Sequence, residues 1–194
     1  LGDVYKRQAD LRKRAAQPDA DLNFCSAGNG SINHLAGELF KQKANVVMTH
    51  VPYKGSGPAT VDLLAGRVQV FFATVPTILS QVRDQRVDLL AVTGKTRSPL
   101  FPDTPTVAEA GVPDFDITTW WGVLAPAGTP PDIVGRLNQA INAAASDTLV
   151  RDRLQHEGAQ AISGSPEDFG QALSAELALW RGVVQQSGIC LLYT

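Results

Sequence analysis

The sequence predicts an α/β fold built on a mostly parallel sheet, and three observations carry that expectation. Short, near-continuous apolar runs recur at Leu22–Ala27, Val46–Val51, Val68–Ala73 and Val87–Thr93. Between them lie stretches of helical periodicity at Ser31–Lys43, Pro58–Ala65 and Pro76–Gln85. Turns containing Gly, Ser or Pro join strand to helix. Continuous apolar strands are those buried on both faces, and their alternation with helices is the pattern of a parallel sheet.

The elements have local causes. In the first helix, Ile32, Leu35, Leu39 and Phe40 recur at helical spacing and form one apolar stripe. Residues 94–119 hold four prolines and read as a long connection with one short helix. Thr106 and Glu109 have the spacing of a capping box that could start it. Beyond Ala127 the texture becomes helical. Thr129-Pro-Pro-Asp132 and Ser165-Pro-Glu-Asp168 each place a hydroxyl before Pro, with an acid in the first turn. The last helix lines up Phe169, Leu173, Leu177, Trp180 and Val184 on one side. Only Trp121–Ala125 and Ala159–Ser163 read as strands there. Two short strands cannot cover three amphipathic helices, so a sheet from a missing N-terminal part is expected.

Composition bounds the function. The 194 residues are 44% hydrophobic and 19% charged, ordinary for a globular protein. A net charge of -2, with no basic stripe, argues against nucleic acid as a partner. No apolar run approaches the roughly 20 residues that span a bilayer, so no direct membrane insertion is expected. The two cysteines, Cys25 and Cys190, are far apart and lack metal or redox spacing. The ends read as non-native: residues 1–21 as a tail with a partial helix, and 190–194 as a second tail.

Three turns recur where a strand gives way to a helix: Ala27-Gly-Asn-Gly-Ser31, Tyr53-Lys-Gly-Ser-Gly57 and Thr74-Val-Pro-Thr77. In an open parallel sheet such turns share the carboxyl edge, where ligands bind. Helix N-termini there offer unpaired N–H groups and partial positive charge, which favour an anion. Gly28 and Gly30 would allow a sharp turn, and Ser31 could cap the helix or donate to a ligand. Tyr53 offers an apolar wall and a hydroxyl, and Lys54 a charge for a carboxylate. Each feature also has a plainer reading, as a tight turn or a solvated lysine.

Other chemistries lack their motifs. No stretch matches a phosphate-binding G-x-x-x-x-G-K-[ST] loop, and the Gly28-x-Gly30 pair meets Asn33 where a dinucleotide fingerprint needs its third glycine. No G-x-S-x-G nucleophile elbow occurs. Cys25, inside an apolar strand, reads as a small buried hydrophobe. His34 and Glu38 share a helix face, but one such pair is no metal site. His34 reads as packing or hydrogen-bonding near the helix start. His50 and His156 have no partners legible in sequence. No catalytic residue, metal or cofactor is expected. Trp120 and Trp121 could be core, interdomain packing or cleft wall.

The segments "SAGNGSINHLAGELFKQKA", "THVPYKGSGPATVDLLAGRV", "LLAVTGKTRSPLFPDTPTVAEAGVPDF" and "WWGVLAPAGTPPDIVGRLNQAI" resemble the Bug or TctC-type extracytoplasmic solute-binding proteins, receptors of tripartite tricarboxylate transporters. The resemblance covers about residues 22–189. It implies a type II periplasmic-binding-protein-like fold, two α/β domains with a hinge, the first domain incomplete. On this reading 22–118 is a complete ligand-binding domain 2, and 119–189 is the C-terminal part of domain 1. It implies a small organic carboxylate as ligand, transporter subunits as partners, and a periplasmic location. The carried-over candidates are Gly28, Asn29, Gly30 and Ser31 in the first loop, and Tyr53, Gly55 and Ser56 in the second; Lys54 is a candidate on its charge alone. Thr74 is a further candidate from its place in the third turn, not from the resemblance. Where many relatives read like "FDNLPS", this chain has "FATVPT": Ala73 stands for an acid and Thr74 for an amide, which disfavours an amino-acid ligand. A ligand-sensing regulatory domain and an α/β enzyme are the alternative readings.

Overall fold

The computed structural model describes residues 21–189, and the two expected tails lie largely outside them. The described residues fall into two compact units. One comprises 21–119 together with 182–189, and the other 120–181.

The first unit is built on three strands: β1 (Asn23–Ser26), β2 (Thr49–Pro52) and β3 (Val70–Phe71). They pair in parallel in the order β2-β1-β3, with Phe24 opposite His50 on one side and Val70 on the other. Helices α1 (Ile32–Ala44), α2 (Ser56–Leu64) and α3 (Val75–Arg83) alternate with them. Strand and helix thus fall within a few residues of the positions the sequence predicts.

Successive residues of β1 point to opposite faces, and each face meets a different helix. Phe24 lies against α1 at Gly37, where an added Cβ would run into the Phe24 ring. Only a glycine lets the helix lie this close to the ring. Cys25 faces the other way and clusters with Ala59 of α2 and Val68. On the Phe24 side the core continues through Phe40, Phe72 and Phe115, with ring centroids 5.5 Å and 6.1 Å from Phe40. Helix α1 starts at Ser31, whose hydroxyl accepts the His34 N–H, and ends at Asn45 in the left-handed conformation. Lys41 and Lys43 occupy its last turn, where cations suit the helix dipole.

The expected strand Val87–Thr93 reduces to a single parallel bridge, Val92 with Thr106. The reason lies in its neighbour. Pro105 accepts the Val92 N–H but has none to donate, so the ladder cannot extend through it. The capping box forms: Glu109 N–H donates to Thr106 Oγ1 at 3.0 Å, and Thr106 N–H to Glu109 Oε2 at 2.8 Å. It closes one turn rather than a helix.

The second unit contains α4 (Pro131–Ser146), α5 (Thr148–His156) and most of α6 (Pro166–Ser187). Ser165 caps α6, accepting the Asp168 N–H at 3.0 Å. Thr129 does not cap α4. Its hydroxyl turns back to the Pro126 carbonyl at 2.8 Å, and Pro130 takes the N-cap position. Neither Trp121–Ala125 nor Ala159–Ser163 forms a strand, because neither finds a ladder partner among the described residues. The last turn of α6, from Gly182, groups with the first unit, where Gln42 Nε2 donates to Ser187 Oγ at 2.8 Å.

Candidate anion-binding edge

Because the three strands run parallel, all three turns emerge on the carboxyl edge of the sheet. Backbone bonds then join them. Tyr53 N–H donates to Ser26 O at 3.1 Å and Gly55 N–H to Ala27 O at 2.9 Å, which carries the β1–β2 pairing into the first and second turns. Asn33 Nδ2 donates to Phe72 O at 2.6 Å and ties the start of α1 to the third turn. The connection from β1 leads to β2 on one side, and α2 then leads to β3 on the other. In open α/β sheets the ligand crevice lies at such a reversal of strand order, which here falls between the turns after β1 and β3.

Several candidate donors are engaged within the protein. Gly28 N–H donates to Ser26 Oγ at 3.1 Å and Gly30 N–H to His34 Nδ1 at 3.1 Å. The Ser31 hydroxyl donates to Gly28 O at 2.7 Å. Gly28, Gly30 and Gly55 have φ of 143, 73 and 104, conformations open to glycine and costly to other residues. These residues therefore shape the turns. The Tyr53 hydroxyl donates to Asp62 Oδ2 at 2.8 Å, and its ring packs against the Cys25 cluster. Thr74 precedes α3, its hydroxyl paired with that of Thr77 at 2.8 Å.

The amides of Asn29, Ile32 and Ser56 have no hydrogen-bond partner among the described residues, and the side chains of Asn29 and Lys54 are exposed. The N-termini of α1, α2 and α3 add their partial positive charge. No Asp or Glu occurs in residues 27–31, 53–57 or 72–77. The edge is thus rich in donors, mildly cationic and free of acidic side chains in its turns. That chemistry suits a carboxylate.

Beneath the first turn lies a group whose arrangement sequence reasoning missed. His34 and His50 stack with ring centroids 3.7 Å apart and planes 8° apart, and His50 Nε2 lies 2.6 Å from Ser26 Oγ. Burial pushes His50 down to about 4, aided by His34 and Lys41. Burial also lowers His34, against the pull of nearby Glu38. Only the parallel register, which sets His50 opposite Phe24, brings these residues together. Cys25 is buried, and burial pushes its thiol up to about 12, which suits a packing residue. Among the described residues no group of three or more His, Cys, Asp and Glu could hold a metal, and no helix is long and apolar enough to cross a membrane.

A parallel α/β sheet with a donor-rich carboxyl edge is an architecture able to bind a small anionic solute, and comparison with known proteins gives the family. The profile described as "Tripartite tricarboxylate transporter family receptor", TctC, matches residues 5–189, and the chain belongs to this family. Protein BugT of Bordetella pertussis is 38% identical over 168 residues, 87% of this chain and 52% of that protein. Among solved structures, the R. palustris protein Rpa4515 with adipate is 37% identical, with a TM-score of 0.86 over 96% of this chain and 62% of that one. MatC from Rhodopseudomonas palustris with bound malate is 32% identical, with a TM-score of 0.78 over 92% and 62%. The chain spans about half the length of most of the curated relatives it matches. Members of the family are periplasmic solute-binding receptors, not enzymes.

Proposed function

We propose that this chain supplies one face of the ligand site of a periplasmic receptor, which captures a small dicarboxylate and delivers it to a tripartite tricarboxylate transporter. The observation that carries this reading is the joining of three turns on one sheet edge, with free amides, Lys54 and no acidic residue among them. In it, Asn29, Ser56 and Lys54 meet the ligand carboxylate. Gly28, Gly30, Gly55 and Ser31 set the turn shapes, Tyr53 braces the second turn, and Thr74 borders the crevice. Adipate and malate, named with two structural neighbours, are the first acids to try. Residues 22–118 act as the ligand-binding domain, and 119–189 as the trailing part of a second domain. The sheet that covers that second part comes from additional chain, of the kind the longer relatives possess.

Calorimetric titration with a panel of mono-, di- and tricarboxylates and amino acids tests the proposal. Saturable binding of a dicarboxylate without turnover is expected. Binding of amino acids in preference to plain acids, or no response to any acid, would contradict it.

A further inference from the structure

The stacked histidines lie beneath the binding turn, and the geometry links each of them to one of its glycines. On one side, Gly30 N–H donates to His34 Nδ1 at 3.1 Å. On the other, Gly28 N–H donates to Ser26 Oγ at 3.1 Å, and that oxygen lies 2.6 Å from His50 Nε2. The rings stack at 3.7 Å, so the two supports are coupled. Both His34 and Ser26 are buried, at 6% and 0% exposure, which leaves little water to replace a lost bond. Asn29, whose amide is free, sits between the two supported glycines.

An N–H donor can be met only by a ring nitrogen without a proton. His34 therefore carries its hydrogen on Nε2, which faces Glu38 Oε1 at 4.0 Å. A second proton, on Nδ1, would set donor against donor at Gly30 and place a cation on the face of His50. The charged and titratable groups around the pair are few. From α1 come Glu38 and Lys41, themselves paired at 2.8 Å, and from β2 comes His50. From β1 come only the uncharged Phe24 and Ser26.

We propose that His34 and, through Ser26, His50 are positioning residues for the 27–31 turn, holding the Asn29 amide in its binding orientation while the His34 ring is neutral. The role rests on the reading of this edge as a carboxylate site. Burial favours the neutral rings in the folded chain, in keeping with the geometry. Acid would then weaken ligand binding through the turn, in addition to any effect on the ligand's own ionisation.

The test has two arms on the full chain. In the first, nitrogen-15 NMR of the histidine rings at pH 7.5 should find His34 Nδ1 unprotonated and Nε2 protonated. This arm needs no ligand and no variant. In the second, calorimetry with succinate, malate and adipate compares wild type, H34N and H34A between pH 7.5 and 5. Asn places an acceptor oxygen near the position of Nδ1 and cannot titrate. At pH 7.5, H34N should bind within about threefold of wild type, and H34A about tenfold more weakly, the cost of one buried bond. Over the pH range in which the ring NMR shows His34 taking up its second proton, the wild type should lose affinity more steeply than H34N, which meets the same ligand ionisation. A protonated Nδ1 at pH 7.5, or matching profiles for wild type and H34N, would overturn the positioning role alone. Failure of all three acids to bind wild type at pH 7.5 would overturn the carboxylate reading and this role with it.

Discussion

The two units solve the same problem to different degrees. Every buried hydrophobic residue of the described core, from Leu22 to Ile117 and again Val183, belongs to the first unit. In the second, α4 and α5 bury no residue, and Leu149 and Ile162 are each 79% exposed. Both units contain well-formed helices. The difference is cover: the first unit has a sheet with a helix on each face, whereas the second has amphipathic helices and no strand among its described residues. Helix signals such as Ser165 with Asp168 act locally and form a helix, but burial needs an opposing surface. A polar binding edge follows the same logic. Free amides hold their positions only where a packed core fixes the turns that present them.

Core truncation gives the largest expected contrast. Phe24→Ala removes a fully buried ring and should cost about 3–5 kcal/mol by chemical denaturation. Leu149→Ala, in the second unit, should change stability by less than about 0.5 kcal/mol. Equal effects would break the contrast between the units. Gly37→Ala sharpens it further. The added methyl meets the Phe24 ring, and overpacking of this kind costs about 1–3 kcal/mol.

A cap in the second unit should matter less. Ser165→Ala should cost about 1 kcal/mol, read as lost helicity by circular dichroism together with a lower denaturation midpoint. An unchanged spectrum and midpoint would show that α6 does not depend on its cap.

Acid should destabilise the first unit through His50. Above about pH 6.5 the ring is neutral whether the chain is folded or unfolded, and stability is full. As pH falls from 6.5 toward about 4, the unfolded chain takes up a proton that folded His50 refuses, so stability declines across that window and then levels off. Denaturation midpoints at a series of pH values check this, and His50→Gln should flatten the decline. The smallest effect belongs to Lys54→Ala. Its side chain is exposed, so stability should hold while ligand affinity falls a few-fold, about as much as one screened charge contributes.

Much of the first unit was legible because its signals are local. The apolar runs around Phe24, Val51 and Val70 and the stripe of α1 marked three strands and a helix, and the glycine turns marked the edge. The strand expected at Val87–Thr93 failed because its neighbour's donors are interrupted by Pro105, a fact about pairing that periodicity does not encode. Strands at Trp121–Ala125 and Ala159–Ser163 failed for want of a ladder partner. At the site, sequence could name Tyr53 and Gly30 but not where their donors point. Tyr53 turns to Asp62 and the Gly30 amide to His34. The pairing of His34 with His50 depends on strand register and left no mark in sequence spacing.

The central claim is that one sheet edge seats a carboxylate through backbone amides at its turns. Amide chemical shifts during titration with malate or adipate test it most directly. The account predicts the largest perturbations at Asn29, Ile32 and Ser56, with residues 131–156 nearly silent. Saturable binding that leaves those three amides unmoved would contradict it.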